Sequence, residues 1–241
     1  MLSFPITPPA DSESDDDRDG ESVETDSQAH KILETATHVL ATEANALLHL
    51  SRLYATDALA RDGFLRAVEA IAESQEKDGK TIVIGVGKSG KIGDKLVASM
   101  NSLGLLTTFL NPTDALHGDL GIIRKNDVLL LITYSGKTPE LLQLLPHLPA
   151  HLPLIALTAH TSYQTSPLTR GRSSAILLPA PIPESEVASF GVAAPTTSTT
   201  VAMAIGDALS LSVAERIHSG ECKGPREVFK KNHPGGAIGV A

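Results

Sequence analysis

Five short apolar runs, Thr81–Val86, Leu105–Leu110, Val128–Thr133, Leu154–Thr158 and Ala175–Leu178, recur along the middle of the chain. Each is apolar and contains β-branched residues, with Thr the one polar residue type among them, instead of alternating with charged or strongly polar residues, so each is expected to be covered on both faces. Segments of helical spacing stand between them. Ile92, Leu96, Met100 and Leu103 fall on one helical face after the first run, Thr138–Leu148 reads as a helix after the third, and Thr197–Ile217 is a long helix after the fifth. Two earlier helices are expected, one carrying Ile32, Ala36, Val39, Leu40, Leu47 and Leu50 and one carrying Phe64, Val68 and Ile71; a short one is expected near Arg226–Lys231. Buried strands alternating with helices specify an α/β, doubly wound, three-layer sandwich: a five-stranded parallel sheet flanked by helices.

At 241 residues, 41% hydrophobic and 20% charged, the chain can bury one substantial core. The net charge of −8 is concentrated in residues 1–29, where nine acids face Arg18 alone, leaving 19 acids and 19 bases elsewhere. That opening segment has few apolar groups with which to offset its ordering entropy, so it reads as a disordered acidic tail preceding a domain over 30–241. The neutral remainder gives no basic footprint for nucleic acid. Cys222 is the sole cysteine, which excludes an internal disulfide and fits a reducing compartment. No secretory leader and no membrane-length apolar run is visible, so a cytoplasmic protein without membrane contact is expected.

In a sheet of this type ligands bind beyond the carboxyl ends of the strands. The loop after the first strand is Gly85-Val-Gly-Lys-Ser-Gly-Lys-Ile-Gly93. It contains G-x-G-x-x-G, but Asn111 and Pro112 stand where a dinucleotide site needs an acid for the ribose. It also approaches a P-loop, but Ile92 replaces the Ser or Thr that would hold magnesium. What remains is a glycine turn and a helix start aimed at an anion, with Lys88 and Ser89 beside it. The loop after the third strand, Thr133-Tyr-Ser-Gly-Lys-Thr138, supplies three hydroxyls (Thr133, Ser135, Thr138) and Gly136 ahead of Pro139 at a helix start. One hydroxyl is explained by helix capping, but three with a glycine favour a phosphate monoester. The run Thr196–Thr200 opens the last long helix and offers further donors. Two histidine islands, His117-Gly-Asp-Leu-Gly121 and Asn232-His-Pro-Gly-Gly236, sit in special backbone settings, whereas His30, His38, His49, His147 and His151 read as structural.

Taken together these pieces resemble the SIS-domain arabinose-5-phosphate isomerases. The matching segments run in order: Gly85–Gly93, His117–Gly121, Ser135-Gly136 with Glu140, Glu186 before Gly191, Pro195–Thr200, Gly206-Asp-Ala-Leu209 and His233-Pro-Gly-Gly236. The resemblance implies a tetramer and aldose–ketose interconversion of arabinose 5-phosphate and ribulose 5-phosphate. It implies a catalytic set of Lys88, Glu140, Glu186 and His233, with His117 also in the site. Phosphate contacts are implied at Ser89, Thr133, Ser135 and Thr138, in the turn containing Gly136. His233 or Glu186 is expected to move the proton and Lys88 to stabilise the oxyanion, while His117 assists ring opening. Such chemistry needs a base, an acid and positive charge, and no cofactor or metal is expected.

Three departures from the family pattern stand out. Lys137 replaces an acid after Ser-Gly, the Gly191–Pro195 segment is one residue longer, and no paired CBS modules follow before Ala241. That last feature implies either the loss of a nucleotide-sensing part or a fragment. A non-catalytic phosphosugar-binding regulator is the alternative function, and an NAD-dependent oxidoreductase is a more distant one.

Overall fold

β1 (Thr81–Gly85), β2 (Thr107–Leu110), β3 (Val128–Ile132), β4 (Leu154–Thr158) and β5 (Ala175–Pro179) form one sheet in the order β2-β1-β3-β4-β5, with every neighbouring pair parallel. The computed structural model describes residues 16–219 and 224–235, with side chains from residue 27 onward. Residues 1–15, Cys222 and Gly236 lie outside it. The five apolar runs are therefore the five strands, and their continuous hydrophobicity conceals a period of two. Val83, Leu130, Ile155 and Ile176 enter one core, while Ile82, Leu129, Leu131 and Leu177 enter the other. Successive side chains of a strand point to opposite faces, so both faces must be apolar when both are covered.

α2 (Ala58–Glu76), α3 (Gly87–Ser102) and α7 (Thr197–His218) cover the first face, joined there by Ala46 and Leu50 of α1 (Asp16–Thr56). α4 (Pro112–Leu116) and α5 (Pro139–Leu144) contribute Ala115, Leu141 and Leu144 to the other. α6 (Glu186–Phe190) and α8 (Gly224–Asn232) complete the described helices. Full burial of each Leu or Ile contributes on the order of 1.5–3 kcal/mol, and strand and helix side chains share both cores. At the amino ends of the strands Asp127, 1% exposed, accepts from Lys80 N at 3.0 Å, Lys80 Nζ at 2.7 Å and Arg124 N at 2.7 Å. This bracket ties the entries of β1 and β3 together.

Several boundaries differ from expectation for local reasons. β2 starts at Thr107 instead of Leu105; Leu106 still accepts from Thr81 N at 3.0 Å, and the Gln75 amide bonds both of its backbone groups at 2.9 Å. α5 stops at Leu144 and tightens into a 3₁₀ turn over Leu145–His147, since Pro146 cannot continue the helix ladder. β4 and β5 are joined by residues 159–174 without a helix. α4 and α6 were not expected; each is only one turn and too short to show a period.

The chain divides into two units, 1–41 and 42–241. Within the first, residues 16–29 are helical, which corrects the expectation of a tail disordered to residue 29. Extending an existing helix fixes one residue per hydrogen bond gained and avoids the nucleation cost, so an acidic segment can continue a helix that composition alone would not start. The apolar residues expected on the first helix include exposed ones: Ile32 is 62% and Leu40 67% exposed. Periodicity reports that a face is apolar, not what covers it.

Candidate functional site

The strand order reverses direction between β1 and β3, and the loops leaving their carboxyl ends flank a crevice there. A cleft of about 240 Å³ opens at this point, lined by Lys88, Ser89, Tyr134, Glu186, Ser198 and Thr199 among others. β1 ends at Gly85 and α3 begins at Gly87, so the chain must reverse within two residues. Gly87 does this at φ 58°, a conformation costly for a side chain with a Cβ. Val86 precedes the helix without a side-chain cap, so the first N–H groups of α3 are left for a ligand. Lys88 and Ser89 occupy that first turn. The result is a helix start whose uncapped N–H groups favour an anion, with an ammonium beside it.

Glu186 reaches the cleft from α6. Its Oε1 accepts from Thr196 N at 2.7 Å, Ser198 N at 3.1 Å and Ser198 Oγ at 2.7 Å. Thr196 provides no side-chain cap for α7, and the carboxylate takes that role from outside the helix, where the positive end of the dipole favours it. The hydroxyl run opening α7 is thus largely committed. Thr199 Oγ1 donates to Thr196 O at 2.7 Å, and Thr197 is buried. Two residues of the run, Thr196 and Ser198, hold the Glu186 carboxylate, and Thr199 lines the cleft.

The loop after β3 runs beside this cleft, with Ile132 and Tyr134 contributing to its lining. Thr133 and Thr138 hydroxyls meet at 2.8 Å and close the turn, and Ser135 Oγ accepts from Lys137 N at 3.2 Å. Gly136 sits in the turn at φ 64°. Tyr134 is a site residue that sequence reasoning missed, because attention fell on the flanking Thr and Ser hydroxyls. Burial first, and then the Glu186 charge, raise its phenol above the usual value near 10, opposed by a backbone hydrogen bond at Ile182. It is a neutral hydrogen-bond donor at physiological pH.

Of the expected catalytic set, the cleft gathers Lys88 and Glu186. Glu140 lies in the first turn of α5, and His117 at the end of α4, two helices that pack together. Neither lines the cleft. His233 is elsewhere: it stacks on Phe229 with centroids 4.0 Å apart and its Nδ1 lies 2.8 Å from Phe229 O. It borders a separate cavity of about 430 Å³ with Lys95 and Asp207, which form an ion pair. Among the described residues no group of three His, Cys, Asp or Glu is arranged to hold a metal. No described helix is long and apolar enough to cross a membrane.

Residues 75–212 match the SIS domain model. An uncharacterised Helicobacter pylori J99 protein is 38% identical over 207 residues, 85% of this chain and 58% of its own length. Arabinose 5-phosphate isomerase GutQ of Escherichia coli K12 is 40% identical over 179 residues, covering 74% of this chain and 51% of the enzyme. The chain therefore spans between half and three fifths of the length of these relatives. Among solved structures, an Escherichia coli CFT073 protein in complex with A5P superposes with TM-score 0.70 at 32% identity, covering 85% of this chain and 98% of that one. With the five-stranded parallel sheet, the glycine turn into α3 and the hydroxyl turn after β3 all in place, the chain belongs to the SIS domain family.

Proposed function

We propose that this chain is a phosphosugar aldose–ketose isomerase acting on arabinose 5-phosphate and ribulose 5-phosphate. The observation that carries the proposal is the meeting of Lys88 and Glu186 in one cleft between two anion-favouring helix starts. The identity to GutQ and the likeness to a protein solved with A5P support the same substrate. The phosphate is held by the α3 start with Ser89 and by the turn of Thr133, Ser135, Gly136 and Thr138, which places the carbon skeleton toward Glu186.

Isomerisation then proceeds by removal of the C2 proton, collapse of the electron pair onto the carbonyl, and protonation of O1 to give an enediol. Deprotonation at O2 with proton delivery to C1 completes the ketose. Lys88 stabilises the developing oxyanion, and Tyr134 is placed to donate a proton or a hydrogen bond to it. Glu186 keeps Oε2 outside its three capping bonds, so one oxygen orients the carboxylate and the other is available for the proton. Glu140 and His117, which do not line the cleft within one chain, belong to the proposed set on the family resemblance, His117 assisting ring opening.

His233 enters from a neighbouring copy in this proposal. Within one chain it lies in a cavity apart from Lys88 and Glu186, so a shared site in a homotetramer is the arrangement that unites the set. The decisive experiment measures arabinose 5-phosphate binding by calorimetry and C2-proton exchange into heavy water on the same preparation. Binding with exchange supports the isomerase; binding without exchange replaces it with a phosphosugar-binding regulator.

A further inference from the structure

His160 is the first side chain beyond β4 to turn back toward β3. Its Nε2 lies 3.0 Å from Ser135 O and its Nδ1 lies 3.1 Å from Thr165 Oγ1. A carbonyl can only accept, so Nε2 carries a proton and donates to it. One residue earlier the pattern is already present. Tyr134 O accepts from Ala159 N at 3.0 Å and from Thr158 Oγ1 at 3.0 Å. Two consecutive carbonyls of the turn after β3 are therefore anchored to the end of β4.

Peptide planarity gives these anchors a directional consequence. In a trans peptide the C=O and the following N–H point in opposite directions. Fixing Tyr134 O aims Ser135 N–H away from β4, and fixing Ser135 O does the same for Gly136 N–H. Neither N–H has a hydrogen-bond partner among the described residues. Successive N–H groups turned to one side form a concavity that favours an anion. The imidazole also packs directly against the turn. A Cβ built on Gly136 would sit 3.1 Å from the His160 ring and 3.3 Å from Pro167, and its φ of 64° disfavours a side chain in any case. Glycine here lets the ring approach close enough to reach the Ser135 carbonyl.

We infer that His160 is a positioning residue for the anion-binding turn Ser135–Thr138, holding its carbonyls away from the bound phosphate and its N–H groups toward it. This rests on the reading of that turn as the phosphate site. His160 does not line the cleft and takes no part in proton transfer. Its effect falls on affinity for the phosphate, not on the carbon chemistry.

The test compares wild type with His160→Ala and His160→Gln, the second carrying a neutral amide donor of similar reach. Calorimetry measures arabinose 5-phosphate and inorganic phosphate binding, and steady-state kinetics give KM and kcat. Loss of the anchor should weaken both ligands roughly five- to twentyfold in His160→Ala, raise KM in parallel, and leave kcat within about twofold. Recovery of most of the affinity in His160→Gln supports positioning through the Nε2 donor. Should His160→Ala fail to fold, His160→Phe takes its place, keeping a ring of similar bulk without the Nε2 donor: weakened affinity with kcat within about twofold supports the inference, and wild-type affinity overturns it. Wild-type affinity in a folded His160→Ala overturns it as well. A wild-type protein that binds neither ligand overturns the proposed phosphate site itself, a result distinct from variants that bind as wild type does.

Discussion

Glu186 Oε1 takes two hydrogen bonds from the single residue Ser198, one from its backbone N–H at 3.1 Å and one from its hydroxyl at 2.7 Å. A carboxylate proposed for proton transfer is thereby also the cap of a 22-residue helix. The two roles separate under substitution. In Glu186→Gln the amide oxygen still accepts from α7, so stability should fall by no more than about 1 kcal/mol, the scale of a lost charge–dipole interaction. Loss of a general acid or base should lower turnover by roughly 10²–10⁴. Urea unfolding and C2-proton exchange on one preparation check both halves, and turnover within tenfold of wild type would remove Glu186 from the chemistry.

The placement of His233 leads to a mixing experiment. Glu186→Gln and His233→Asn should each be inactive alone. If each site takes Glu186 from one copy and His233 from another, hybrids formed by co-refolding contain some sites with both wild-type groups. Random pairing in an isologous arrangement restores up to about a quarter of wild-type activity. Hybrids verified by mass that remain inactive would place His233 in the site of its own chain.

Tyr54 predicts a pH dependence of stability at the alkaline end. Its hydroxyl donates to Pro179 O at 2.9 Å, and its ring meets Phe64 edge-on at 5.7 Å. Burial raises its pKa well above the ordinary value near 10. The folded state then keeps a proton that the unfolded state releases, so stability from this group is complete below pH ~10 and declines as pH rises beyond it. Tyr54→Phe should cost about 1–2 kcal/mol at pH 8. The gap between the two proteins should narrow by about 1.4 kcal/mol per pH unit above 10. Denaturant titrations at pH 8, 10 and 11 supply the comparison, and a constant gap would count against the stated cause. Tyr134, whose pKa is also raised, is present in both proteins and cancels.

Asp127 lies at the opposite end of the strands from the cleft. Its three donors belong to Lys80 and Arg124, and Lys80 is itself mostly covered, with 19% side-chain exposure. Removing one partner of such a pair leaves the other charge poorly compensated, so Asp127→Ala should destabilise the fold by roughly 3–5 kcal/mol. Sugar-phosphate affinity of the folded fraction should not change. Equal stability would mean that water or another group replaces the carboxylate.

The amino-acid sequence by itself determined the layers. Strands apolar on both sides and helices with a 3.6 period admit few arrangements other than a covered parallel sheet, because these are local consequences of pleat and pitch. It also determined the glycine turn at Gly85–Gly93, where the chain must pass from β1 into α3 within two residues, and it marked Lys88, Ser89 and Glu186, which meet in the cleft. What only the tertiary structure decided lies between elements. The contact of His160 with Ser135 exists because β4 pairs with β3 in a particular register. The commitment of Thr196 and Ser198 to Glu186 depends on the path of α6. His233 follows α8 into a cavity beside Asp207 and away from Lys88, which no spacing along the chain foretold. Periodicity records which side of an element is apolar; the partner across that side is chosen by packing among residues far apart in sequence, and the cleft is assembled from such pairs.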